Sequence, residues 1–158
     1  MVELDIIITA KDLYDYNLRH AYNSAAGLMG SVLGALMVIV GIYTRTWISV
    51  LGGAVLLAYL PWTLFIRSRQ QMLANPVFKE PLHYILDDSG ISISQGEVSE
   101  MQEWGQMYKA VSTARSIIVY TSRKNATIFP KAQLGDKKMA VIEMISTHMP
   151  PSKVRLKM

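Results

Sequence analysis

Cysteine is absent from the 158 residues, which excludes disulfides, thiolate metal sites and a cysteine nucleophile together. Histidine is scarce: His20, His83 and His148 lie far apart, and none has the HxxxH or HExxH spacing that puts two ligands on one helix face. No metal site and no cofactor is therefore expected. No glycine-rich phosphate loop occurs and no run of five basic residues, so nucleic-acid binding has no motif to rest on. The most informative absence is local. From Ala25 to Tyr43, and again from Trp47 to Ile66, there is no Asp, Glu, Lys, Arg or His.

Each run approaches the ~20 apolar residues that a bilayer's hydrocarbon core requires, and Thr44-Arg45-Thr46 joins them. Core helices of soluble proteins usually keep a polar stripe; these do not, and the stretch 23–66 reads as a transmembrane helical hairpin with spans 25–43 and 47–66. Gly27, Gly30, Gly34 and Gly41 form a small-residue face on the first span. It packs either against Gly52, Gly53, Ala54 and Ala58 of the second span or against another copy, which leaves the oligomeric state open. Pro61 is expected to kink the second span, and Tyr43, Trp47, Tyr59 and Trp62 stand near the span ends as interfacial aromatics do. The only polar groups at depth are Ser31, Ser49 and Thr63, too few for a transporter or channel.

The net charge of +4 is unevenly spread. Ahead of the hairpin Glu3, Asp5, Asp12 and Asp15 outweigh Lys11 and Arg19, whereas beyond it thirteen Lys and Arg face eight Asp and Glu. Lys11, Arg19, Arg67, Arg69 and Lys79 flank the spans against Arg45 alone in the turn, which orients both termini to the cytoplasm. The long, acidic leading region argues against a cleaved signal peptide.

Val2 to Thr9 alternates like a strand, and Thr9-Ala-Lys-Asp12 has capping-box form with Asp in the Glu position. The helix that follows carries Tyr14, Leu18, Ala21 and Tyr22 on one face, suited to the membrane interface, and residues 1–22 form an amino-terminal strand and interfacial helix. Residues 67–81 read as a linker ending in Asn75-Pro76 and Glu80-Pro81. Residues 82–150 form a second unit. Its strands cover His83–Leu86, Ile91–Ser94, Val98–Trp104, Tyr108–Thr113, Ser116–Thr121 and Ala126–Phe129, and a helix over Leu134–Met149 carries Val141, Ile142, Ile145 and Met149 on one face, with Asp136 as its cap. Asp87-Asp88-Ser89-Gly90 reads as turn chemistry rather than an acid–base pair. Residues 151–158 are expected to be a disordered basic tail. The whole is an α+β membrane protein: a two-helix transmembrane hairpin inserted after the first strand of a small pleckstrin-homology-like β-barrel or sandwich, capped by a carboxy-terminal helix.

The succession Tyr84-x-Leu86-Asp87-Asp88-x-Gly90-Ile91-x-Ile93, Trp104, Tyr108-Lys-Ala-Val111, Ile118-Val-Tyr120 and Ile128-Phe-Pro-Lys131 resembles the YcxB-like proteins, in the order strand, two transmembrane helices and carboxy-terminal domain. The resemblance implies a bacterial cytoplasmic (inner) membrane location and supplies no active site. Ala132 stands where the family often has a basic residue. Catalytic residues are none. Trp104, read as core or as a rim aromatic, together with Arg123, Lys124 and Lys131, makes a candidate surface for anionic lipid or a protein partner, because a domain tethered at a membrane sits close to its headgroups. The expected function is non-enzymatic binding of lipid or protein, with immunity against a bacterial toxin as the alternative.

Overall fold

The computed structural model describes residues 1–122 and 125–156. Strand β1 (Val2–Ile6) leads through the expected capping box into α1 (Ala10–Tyr22): the Thr9 hydroxyl accepts from the Asp12 amide, and the Thr9 amide donates to the Asp12 carboxylate at 3.0 Å. Two long apolar helices follow, α2 (Ala25–Tyr43) and α3 (Trp47–Ala74), each long and apolar enough to cross a membrane. Their connection is a Schellman turn. Thr46 donates to the Gly41 carbonyl and Arg45 to that of Ile42, which places Arg45 at φ 56°, a conformation L residues adopt only under such constraint.

Close packing of α2 on α3 depends on three glycines. A Cβ on Gly53 would stand 2.7 Å from the Gly34 carbonyl, one on Gly34 would meet Leu57, and one on Gly41 would stand 2.8 Å from the Val50 amide nitrogen. Gly27 faces the end of α1 instead, and Gly30 has nothing within 4 Å, so the four-glycine face is split among different surroundings. Helix α3 does not stop at Ile66. It runs on through Pro61 and through the charged segment to Ala74, because Arg67-Ser-Arg-Gln-Gln-Met-Leu-Ala holds no breaker before Asn75-Pro76, where the residue ahead of a proline leaves the α region. Ile66 ends the uncharged run but not the element; the expected linker is mostly helix.

Among the described residues, eight strands form two four-stranded sheets. β1, β2 (Leu82–Leu86), β3 (Gly90–Gln95) and β4 (Val98–Glu103) lie in that order in one, all antiparallel. β7 (Ala126–Pro130), β6 (Ser116–Tyr120), β5 (Lys109–Ser112) and β8 (Val154–Arg155) make the other. The tail expected to be disordered supplies β8, which runs parallel to β5 and satisfies its free edge. The short α4 (Lys131–Leu134) follows β7, and α5 (Lys138–His148) places Val141, Ile142 and Ile145 against the core, with Met149 just beyond its end. Asp136 does not cap α5: it lies in a 3-10 turn, and Lys137 occupies the N-cap without a side-chain bond.

Leu4, Ile6, Tyr84, Leu86 and Ile91 from the first sheet meet Ile117, Val119 and Phe129 from the second in one core. The sheets do not close into a barrel. Among the described residues no strand pairing joins β4 to β7; a hollow of about 400 Å³ separates them, bridged by Thr127 donating to Gln102 at 3.0 Å. β6 is buried on both faces, since Ile118 and Tyr120 form a second small cluster with Val111 on the side away from the core. That side is covered by α1.

Candidate functional site

Helix α1 is the piece on which the two parts of the molecule meet. Leu13 joins the main core and Tyr16 packs on Tyr120, ring centroids 5.9 Å apart, so one side of α1 lies on the sheets. Tyr14 meets Phe65 edge-on at 5.9 Å and Asn17 donates to the fully buried Ser68 at 2.9 Å, so another side lies on α3. The expected interfacial face of Tyr14, Leu18, Ala21 and Tyr22 therefore leaves out Leu13 and Tyr16, which bind the helix to the sheets. Burial raises the Tyr16 phenol and pushes that of Tyr120 up to about 12, so both stay neutral at cellular pH. Lys109 sits over the Tyr120 ring at 4.7 Å.

A polar joint pins the same helix. The Thr113 hydroxyl donates to Asp15 at 2.5 Å and accepts from the amides of Arg115 and Ser116, while the Thr113 carbonyl accepts from the Lys131 ammonium. Burial lowers the Lys131 pKa, with Lys138 contributing in the same direction. Lys131 is thus turned inward as a structural donor instead of projecting to a ligand. Trp104 is likewise internal. It begins a 3-10 turn after β4 rather than lying in the strand, is 5% exposed, donates from Nε1 to the Asp87 carbonyl at 2.8 Å and stacks on His148 at 5.3 Å. Asp87 itself accepts from the amides of Ser89 and Gly90, the turn role its sequence announces. Arg123 and Lys124 lie outside the described residues.

Two basic hollows, each about 510 Å³, open beside α1. One gathers Lys11, Arg69 and Arg115, the other Arg19, Lys109, Lys153 and Arg155. No motif announced them, because the residues of each come from distant points in the chain and only the fold brings them together. Among the described residues, no group of three or more His, Asp or Glu is placed to hold a metal.

A third feature that the sequence hid lies on the outer face of β1 and β2. His83 stands opposite Asp5 and diagonal to Glu3, with its ring nitrogens 2.7 Å and 3.0 Å from those carboxylates. The Asp5 hydrogen bond, reinforced by both carboxylate charges, raises the His83 pKa above its ordinary value. The sign follows by linkage: this pairing contributes fully below the unfolded histidine's pKa and is lost as pH rises through the raised folded one. Thermal melts of the detergent-solubilised chain are expected to show a small loss of Tm between about pH 6 and 8, and His83→Gln to flatten that slope. An unchanged slope in the variant would remove His83 as its source.

Residues 86–141, from the last residue of β2 into α5, match the family model described as YcxB-like protein. This segment is YcxB-like. It holds the Asp87–Gly90 turn and the inward-turned Trp104 and Lys131, and it includes neither the apolar helices nor β1. No curated protein and no solved structure matches the chain. The YcxB-like segment thus covers β3 to β7, while α1 and the basic hollows are built largely from residues on either side of the match.

Proposed function

We infer that this chain is a two-span protein of the bacterial inner membrane that holds a small, non-enzymatic, pleckstrin-like domain at the cytoplasmic surface, where it binds anionic lipid or a protein partner. One observation carries the reading. β1 precedes the apolar helices, β2 follows them, and the two strands pair directly, Ile6 with Leu82. Both ends of the helix pair must therefore emerge on the same face of any bilayer it crosses, as a hairpin requires. The side chains along the helices support this: Leu28, Met29, Leu36, Ile39, Leu51, Val55 and Tyr59 are exposed, a surface suited to lipid and costly in water. Two packed sheets with a carboxy-terminal helix over the core support the pleckstrin-like comparison, although the seam between β4 and β7 is open.

A binding role is favoured over catalysis by the polar groups in that seam. They include Glu100, Gln102, Tyr84 and Thr127, with Tyr16, Gln71, Thr121 and Asn125 also lining the hollow; Gln102 and Thr127 bond to each other, and burial raises the Tyr84 phenol away from any use as a base at neutral pH.

The cysteine-free sequence makes the topology directly testable. In intact cells, a membrane-impermeant maleimide is expected to label Arg45→Cys, and to label Asp88→Cys only after the inner membrane is permeabilised. Labelling of Asp88→Cys from outside, or recovery of the chain without detergent, would overturn the reading.

A further inference from the structure

The basic hollow at the start of α1 shares one lining residue, Phe65, with an apolar groove. The groove, about 680 Å³ in volume, runs along α3 past Val55, Ala58, Tyr59, Trp62 and Phe65, with Tyr14 of α1 as its other wall. Phe65 lines both spaces, and Arg69, one turn further on, lies over the Phe65 ring at 5.7 Å. Val55, Ala58, Trp62, Phe65 and Arg69 recur at three- and four-residue steps, so they form one stripe of roughly 21 Å at the helical rise, comparable to an extended acyl chain. At its polar end Lys11, Arg69 and Arg115 converge. All three are exposed, and none has a described carboxylate within ion-pair distance. Asp12 also borders this hollow, but its carboxylate is turned back onto Thr9 and is 4% exposed. Three cations without a carboxylate partner at one end of an apolar track differ from a uniformly basic surface: they suit one phosphate and one chain.

We propose that the junction of α1 and α3 binds a single anionic glycerophospholipid, its phosphate held by Lys11, Arg69 and Arg115 and one acyl chain laid along Val55 to Phe65. This rests on the membrane-spanning reading and deepens it, since it assigns the lipid a site. Guanidinium groups suit the task because each offers a planar pair of donors to phosphate oxygens. The site also explains why α1, a short helix outside the apolar pair, is held so firmly between α3 and the sheets: it forms one wall and supplies Lys11.

The test uses the full chain, purified in mild detergent and exchanged into a mixture of phosphatidylglycerol and phosphatidylcholine with identical acyl chains, then examined by native mass spectrometry. The parent is expected to retain one phosphatidylglycerol in preference to phosphatidylcholine. Lys11→Gln/Arg69→Gln/Arg115→Gln should reduce that preference on the order of a hundredfold, as loss of three surface cations near a phosphate implies, whereas Lys109→Gln/Lys153→Gln at the other hollow should leave it intact. Because the three cations are exposed, the triple variant should melt with the parent; if it does not, Arg115→Gln alone carries the comparison. Trp62→Ala should weaken retention of both lipids, and glycerol phosphate in millimolar excess should not displace the bound lipid. Equal retention of the two lipids, equal losses in both sets of charge variants, or displacement by glycerol phosphate would each overturn the site. None of these outcomes bears on whether the helices span, which the maleimide labelling decides separately.

Discussion

Gly53→Leu is expected to lower the stability of the helix pair by about 3 kcal/mol, at the upper end of what overpacking costs, and to abolish a well-folded peak in detergent gel filtration. The reason is the identity of the atoms in the way. The first carbon of any side chain at Gly53 would stand 2.7 Å from the Gly34 carbonyl oxygen and 2.9 Å from the Val38 amide nitrogen, so backbone and not a flexible side chain must retreat. The helices would have to separate along their length. Gly30→Ala is the contrasting case, because nothing lies within 4 Å and alanine favours a helix over glycine by about 1 kcal/mol. Thermal unfolding of both variants separates the two packing models left open by the glycine spacing. Loss at Gly53 with none at Gly30 assigns the small surface to contact within the chain; equal loss would assign it to contact between copies.

A second large effect is expected at Trp104. Trp104→Ala should cost roughly 3–5 kcal/mol, the range for removing a buried large aromatic, a large share of the 5–15 kcal/mol that holds a domain together. Three connections would go at once: the indole donor to the Asp87 carbonyl, the stack on His148 and the packing against the main core. Trp104→Phe keeps most of the volume and loses the donor, leaving the Asp87 carbonyl short of a partner at about 1–3 kcal/mol, so it should fall between parent and alanine variant. Limited trypsin digestion provides the measurement, with Lys153, just beyond the end of α5 that Trp104 contacts through His148, as the site that should become susceptible. An alanine variant as resistant as the parent would show that the tryptophan does not hold that end of the domain.

The parts legible in the sequence were those governed by local rules. Lack of charge over two twenty-residue runs gave α2 and the first part of α3, Thr9 and Asp12 gave the start of α1, and Asp87 with Gly90 gave the β2–β3 turn, where a Cβ on Gly90 would meet the Gln102 carbonyl at 2.2 Å. Alternation gave β2 to β7 to within a residue or two. What failed depends on partners remote in the chain. Val154 and Arg155 carry little strand signal of their own and become β8 only because β5 offers an unpaired edge. The role of Lys131 could not be read because its acceptor, the Thr113 carbonyl, is a main-chain atom that no side-chain pattern reveals. The same holds for Lys11, Arg69 and Arg115, which lie on three separate elements and share a hollow only after α1 has packed on α3.

The pairing of β1 with β2 also orders events in time. Leu4 and Ile6 leave the ribosome before the apolar helices, yet their partners Tyr84 and Leu82 are made only after both helices have been synthesised. Until then β1 is an unsatisfied strand with two hydrophobic side chains and nothing to bury them, and closing so long a loop is slow compared with pairing between consecutive strands. Completion of the first sheet therefore waits until both apolar helices have been made. If the helix pair crosses a bilayer as proposed, a chain inserted with the wrong number of passes would strand β1 on the opposite side and leave β2 with an open edge, so that the pairing of β1 with β2 would report on correct insertion.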